Sequence, residues 1–211
     1  MRCAVTAALL ADGKPVYSTV SYTLSYNIQL EKIHEIDGIE RIRLGSLEPK
    51  IVTEEFASEI SKLEKICPHF HLSLQSGCEA TLKRMNRHYT PLDFMNGVKY
   101  LREVFEHPAI TTDVIVGFPG ETEEEFEETI SLIQQVRYDS LFTFIFSPRP
   151  GTPAASMDDP TTKEEKNRRF DRLCAVQNEI SEQIHKNYIG KTMRCLVDGT
   201  DDDLLTARTE G

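Results

Sequence analysis

An α/β fold, with parallel strands joined by crossover helices, is what this sequence predicts, and three observations carry that reading. From about residue 38 onward, short β-rich runs alternate with amphipathic helical stretches at the spacing of strand–helix–strand units. Helix starts carry capping signals: Thr122 with Glu125, Thr162 with Glu165, and Thr90 ahead of Pro91. The strand runs alternate apolar with polar residues, whereas a parallel sheet sealed on both faces reads as continuously apolar. One face of this sheet is therefore expected on helices, and the other around a polar ligand or in solvent.

Taken in order, residues 1–37 hold no long periodic pattern. Their clearest signal is Asp12-Gly13 as a hairpin turn between Val5–Leu10 and Val16–Ser21. The β-runs follow at Arg41–Leu47, Phe70–Gln75, Thr111–Gly117 and Leu141–Ser147. Helices over Glu54–Ile66, Leu92–Phe105 and Glu123–Val136 lie between them, and a last long helix covers Lys163–Tyr188. Pro49, Pro108 and Pro160 fall between elements. Alternation groups Ile42 with Leu44, then Phe70, Leu72 and Leu74, then Val114 and Val116, then Phe142, Phe144 and Phe146, as the apolar sides of their strands. Lys191–Asp198 and Leu204–Arg208 read as two final strands. A lone pair of strands is not stable, so these are expected to open a β-rich module that is truncated here.

Composition narrows the function classes. Hydrophobic residues make up 39% and charged residues 27%, as in ordinary soluble domains. No run approaches the roughly 20 apolar residues of a membrane helix, and Met1-Arg2 followed by Cys3 to Ala11 makes a poor signal peptide. Cys3, Cys67, Cys78, Cys174 and Cys195 are odd in number and widely spaced, which suits a reducing cytoplasm better than a disulfide framework. A net charge of −10 argues against a broad grip on a phosphate backbone. If RNA is the substrate, the contact is expected from a local basic patch or from another segment. The acidic runs at Glu121–Glu128 and Asp201–Asp203 read as solvated surface.

Three strand-to-loop transitions carry candidate chemistry. In Asp113-Val114-Ile115-Val116-Gly117-Phe118-Pro119-Gly120-Glu121-Thr122 a strand meets a Gly/Pro turn and then a capped helix. Glycines admit a ligand close to the backbone and the first helical amides are unpaired donors; a tight turn without a ligand is the alternative. In a parallel barrel this is the C-terminal edge, where active sites collect. In His71-Leu72-Ser73-Leu74-Gln75-Ser76-Gly77, Gln75 and Ser76 suit an adenosine or amino-acid group, or equally the turn into the next helix. Ser147-Pro148-Arg149-Pro150 presents a guanidinium between prolines, suited to a carboxylate or phosphate, unless it is a surface loop with incidental charge. Lys83-Arg84-Met85-Asn86-Arg87-His88-Tyr89 is the densest basic stretch, fit for RNA contact or for a solvated helix end. Cys67, His69 and His71 lack a fourth ligand nearby, so no metal site is assigned, and Cys174 falls on the apolar stripe of the last helix.

Together these segments resemble the radical-SAM methylthiotransferases of tRNA. The resemblance rests on Arg41–Pro49, His71–Gly77 with Leu82–Arg87, Asp113–Thr122 and Phe146–Ala155, in that family's order and spacing, from about Asp37 to the end. Gly45–Pro49 and His69–Cys78 look like the threonylcarbamoyladenosine branch, and Tyr138–Ala155 like the isopentenyladenosine branch. The resemblance implies a partial (β/α) barrel over 38–188, an atypical segment over 1–37, and the start of a TRAM domain over 189–211. It implies methylthio transfer to an adenosine beside the anticodon, with S-adenosylmethionine and [4Fe-4S] clusters as cofactors. Gln75, Ser76, Gly77, Asp113, Gly117, Pro119, Gly120, Glu121, Ser147 and Arg149 match family positions near cofactor or base.

The departure from the family is the cluster loop. Clusters need closely spaced thiolates, and no two cysteines here are nearer than the eleven positions from Cys67 to Cys78. No catalytic residue is assigned, and the chain is expected to be an incomplete, inactive fragment needing tRNA and a missing N-terminal half as partners. The rival expectations are a catalytically dead RNA- or partner-binding protein, and another barrel enzyme that binds phosphate at Gly117–Glu121.

Overall fold

The computed structural model describes residues 26–201 and 204–211, and the backbone of 5–11 and 14–18. Strands β1 (Val5–Ala11) and β2 (Lys14–Ser18) pair antiparallel, with Ala11 opposite Lys14. The expected Asp12-Gly13 turn between them lies outside the described residues. Helix α1 (Tyr26–His34) follows, in a stretch whose sequence carries no strong periodicity. Then come β3 (Arg41–Leu44), α2 (Glu54–Ile60), β4 (His69–His71), α3 (Glu79–Arg84), α4 (Pro91–Val104) and β5 (Ala109–Val116). The order ends with α5 (Glu123–Val136), β6 (Ser140–Ile145), α6 (Lys163–Lys186), β7 (Cys195–Asp201) and β8 (Leu204–Thr209).

The centre is a run of parallel neighbours in chain order. β4 pairs with β5 and β5 with β6, all parallel. β3 joins through the bridges Ile42–Ile66 and Leu47–Leu72, also parallel. Each step crosses over through helix, so the α/β architecture expected from the alternation is present, as an open sheet rather than a closed barrel. β1 caps the other edge of β3 antiparallel, Thr6 opposite Arg43. β7 and β8 form a separate two-stranded ribbon with an irregularity between Val197 and Gly199.

Helix positions follow from caps and apolar spacing. Thr122 and Glu125 close a full reciprocal capping box at the start of α5, whose Phe126, Ile130, Ile133 and Val136 are buried at helical spacing. Thr90 and Asp93 do the same for α4, with Pro91 in the first turn. At α6 the expected box is half made: Thr162 accepts the Glu165 amide, but the Glu165 carboxylate turns instead to Arg168 and Arg169. The core joins Ile42, Leu44, Phe70, Leu72, Leu74, Val114 and Val116 to the inner faces of the helices.

Several expectations need correction. α2 stops at Ile60 rather than Ile66, because residues 61–66 bring the chain back for Ile66 to bridge Ile42. β4 is three residues long, and Phe70–Gln75 continues only as bridges at Leu72 and Gln75. The face of β6 is reversed: Leu141 and Ile145 pack on the core, while Phe142 and Phe144 are each 52% exposed on the opposite side. The cause is register, since Phe142 lies beside Asp113 and Phe144 beside Ile115 on the sheet's open face.

Candidate functional site: the open face and C-terminal edge of the parallel sheet

Strand register fixes what shares the open face. His71 pairs with Thr111 and Asp113 with Phe142, so these side chains stand together. His71 Nδ1 lies 3.1 Å from Thr111 Oγ1, and its Nε2 lies 3.3 Å from Asp113 Oδ2. The Phe142 ring centroid is 6.0 Å from that of His71. This arrangement joins an imidazole, a hydroxyl and a part-exposed carboxylate beside an open phenyl ring. Sequence reasoning placed His71 on this face without pairing it to Asp113, which lies on another strand.

The strand ends lie side by side along one edge. The Leu47 and Ser73 amides donate across β3 and β4, the Gln75 amide donates to Asp113 O, and the Phe146 amide donates to Val116 O. Gln75 occupies the left-handed region at φ 69 and is buried. Its carboxamide makes no hydrogen bond among the described residues, and its polar atoms are not among the buried unpartnered ones, so they remain open to solvent or a ligand. Ser76 and Gly77 turn the other way, onto α5. The Cys78 amide donates to Ser76 Oγ at 3.2 Å, and the Gly77 amide donates to Thr129 Oγ1 at 3.0 Å. A Cβ on Gly77 would lie 2.6 Å from Thr129 Cα, so close packing alone demands glycine there.

The Gly117–Glu121 turn is tied to α6. Gly117 has φ 67, and a Cβ there would lie 2.5 Å from Lys166 Cγ. Its amide donates to Glu121 Oε2 at 2.7 Å. Glu121 is buried with Arg169, whose Nη1 donates to both Glu121 O and Glu121 Oε2, at 2.9 and 3.2 Å. Burial raises the Glu121 pKa, opposed by the Gly117 amide and the Arg169 guanidinium. Pro119 is buried and Gly120 exposed, with Gly120 beside Arg84. Lys166 pairs with Asp159 and lies over the Phe146 ring. Beyond β6, Ser147 and Arg149 are exposed, and Arg149 O accepts from Thr152. The candidates thus divide: Gln75, Asp113, Ser147 and Arg149 border the open face or edge, while Ser76, Gly77 and Glu121 are engaged within the fold.

Two of the described cysteines are buried thiols. Burial raises the pKa of both Cys67 and Cys78. Among the described residues no group of three or more His, Cys, Asp or Glu side chains is placed to hold a metal.

Comparisons with known proteins agree with this architecture. A family model described as the Radical SAM superfamily matches residues 11–133. The match begins ahead of Asp37, so the likeness reaches into the atypical segment over 1–37 as well. The sequence is 45% identical over 183 residues to the tRNA-2-methylthio-N(6)-dimethylallyladenosine synthase of Clostridium botulinum (strain Okra), covering 85% of this chain and 41% of the relative. The like-named protein of Caldicellulosiruptor saccharolyticus is 43% identical over 202 residues, 95% of this chain and 41% of its own length. The chain thus spans about two fifths of the curated relatives it matches. Among solved structures, coproporphyrinogen III oxidase from Escherichia coli, titled a radical-SAM enzyme, superposes with TM-score 0.61 at 16% identity, over 73% of this chain and 37% of that one.

Proposed function

The chain belongs to the radical-SAM superfamily, and on that premise we propose that it is the sheet-bearing segment of a tRNA methylthiotransferase acting on dimethylallyladenosine. The observation that carries the reading is identity of 43% or more across 85–95% of the chain with relatives of that name. The same names favour the isopentenyl-type base over the threonylcarbamoyl one. On this reading residues 38–188 are the barrel part, 189–211 open the TRAM domain, and 1–37 lead into the sheet. The partners are tRNA and the remainder of the enzyme, in the cytoplasm. Among the described residues no helix is long and apolar enough to cross a membrane.

The two cofactors are treated differently by these residues. A [4Fe-4S] cluster does not fit them: the described cysteines are scattered and two of them are buried thiols. Its ligands therefore belong to a part of the enzyme outside these residues. S-adenosylmethionine suits the strand edge, where the Gln75 carboxamide makes no hydrogen bond among the described residues and Asp113 offers a part-exposed carboxylate. When bound, it supplies the radical that removes hydrogen from the substrate in this family. Gln75 and Asp113 would hold its polar groups, and Ser147 and Arg149 would border the opening. Ser76, Gly77, Gly117, Pro119, Gly120 and Glu121 would shape the edge from behind. Thr111 Oγ1 holds the His71 ring through Nδ1, which keeps His71 Nε2 3.3 Å from the Asp113 carboxylate and would set its direction.

The test is a graft. Residues 38–188 replace the matching segment of the Clostridium botulinum relative in a strain lacking its own enzyme, and digested tRNA is read by mass spectrometry. Methylthio-dimethylallyladenosine is expected. Its absence from a soluble, cluster-loaded graft, or a methylthio group on threonylcarbamoyladenosine instead, would overturn the assignment.

A further inference from the structure

The opposite, N-terminal edge of the sheet holds two adjoining cavities. One, of about 600 Å³, is lined by Arg102, Arg137 and Lys191, and the other, of about 440 Å³, by Arg43, His69 and Thr111. Asp139 and Tyr188 line both, so the two form one basin split by those side chains. The volumes lie in the range of ligand-binding clefts.

The charge of this basin runs against that of the molecule. The chain has 34 acidic and 24 basic side chains, and many of its cations are bound by carboxylates in the structure. The four cations of the basin have no such partner among the described residues. Arg102 Nη2 donates to the Val136 and Arg137 carbonyls, Arg137 Nη2 donates to Gln183 Oε1, and Lys191 lies over the Tyr188 ring. Arg43 is half-buried, and its guanidinium makes no hydrogen bond among the described residues. His69 Nδ1 is buried without a partner beside it. Asp139, the carboxylate within the basin, is already engaged by the Ile110 amide at 2.8 Å. A guanidinium has five donors, so those of Arg43, and the ones Arg102 and Arg137 do not use within the fold, stay open to an incoming acceptor. The walls are also backbone-strained: His107 and Arg137, both lining the larger cavity, take φ 52 and φ 55. Left-handed backbone at non-glycine residues collects at binding sites.

We propose that this basin binds phosphate oxyanions, and that the ligand which fills both halves is the phosphodiester backbone of an RNA strand. A chain of net −10 needs a local basic seat to hold a polyanion, and here four cations without an ion-pair partner among the described residues gather around one carboxylate, Asp139. Two adjoining cavities suit successive phosphates better than one isolated anion. The proposal rests on the reading of tRNA as substrate, but it is tested by binding alone, without cofactor or cluster, so the two fail independently.

The experiment measures fluorescence anisotropy of the full 211-residue chain with a labelled anticodon stem-loop RNA, between about 50 and 200 mM salt. R137Q and K191Q are each expected to weaken binding and to flatten the log–log salt slope by roughly 0.7–0.9. K62Q, on the exposed pair with Glu59, is expected to leave both unchanged. R43Q probes the inner cavity, and circular dichroism shows whether it folds; R137Q and K191Q, on the rim, carry the test if it does not. RNA binding that is unaltered in R137Q and K191Q would overturn the proposal. Binding of inorganic phosphate, by calorimetry, with no binding of RNA would overturn the RNA assignment.

Discussion

Glu121 illustrates how a residue's place in the chain and its work in the fold can diverge. Its position in a Gly/Pro turn at a strand end suggested a ligand contact, yet its carboxylate holds the Gly117 amide and Arg169. Arg169 lies 48 residues further on, a separation that no local pattern reveals. The seat an incoming phosphate would take at Gly117 is therefore filled by the protein's own anion, which weighs against the phosphate-enzyme reading of this turn. Removing one member of a buried ion pair strands the other, so R169M should cost about 3–5 kcal/mol in urea denaturation. Much of that cost should return in the E121Q/R169M double variant; a loss under about 1 kcal/mol in R169M would show that the pair does not hold the turn. His69 makes a second prediction at this scale. Burial first, then Arg43, lowers its pKa from 6.5 to about 4. A base depressed in the fold adds stability that is complete above about pH 6.5 and lost as pH falls through about 4. The urea midpoint should thus drop less in H69Q than in the parent between about pH 7 and about pH 4.5. Equal drops would exclude His69 as the group.

At the scale of elements, caps and periods were the legible part. α5 runs over Glu123–Val136, as its capping box and apolar spacing indicate. T122A removes one bond of that box, Thr122 Oγ1 accepting from the Glu125 amide, and leaves the backbone amide of residue 122 to the Glu125 carboxylate, so T122A and T162A should each cost about 1 kcal/mol by chemical denaturation. A loss under about 0.3 kcal/mol in either variant would show that its threonine does not hold the helix start. β6 shows where pattern reading ends. Alternation gives the period of a strand but not which face is inward, and its phenylalanines point outward because the register sets them beside Asp113 and Ile115. α1 and the six-residue α3 lacked enough turns to display a period at all.

Across the whole molecule, the parallel pairing was legible because a helix between two strands makes the crossover a parallel strand needs, while sites built from distant segments were not. The basin at the N-terminal edge draws on residues from Arg43 to Lys191, none adjacent in sequence to another of its cations. The open face carries its own consequence: Phe142 and Phe144 are each 52% exposed on β6, whose outer edge has no hydrogen-bonded strand among the described residues. Exposed apolar side chains on an unpaired edge promote association. F142S/F144S should therefore lower the average mass seen by light scattering at high concentration, and an unchanged mass would place any self-association elsewhere. α6, 24 residues and about 36 Å long, runs from the turn at Lys166 and Arg169 to the basin wall at Ile184. One rod thus serves as a wall at both places, and melting it would dismantle the Glu121 clamp and the basin together.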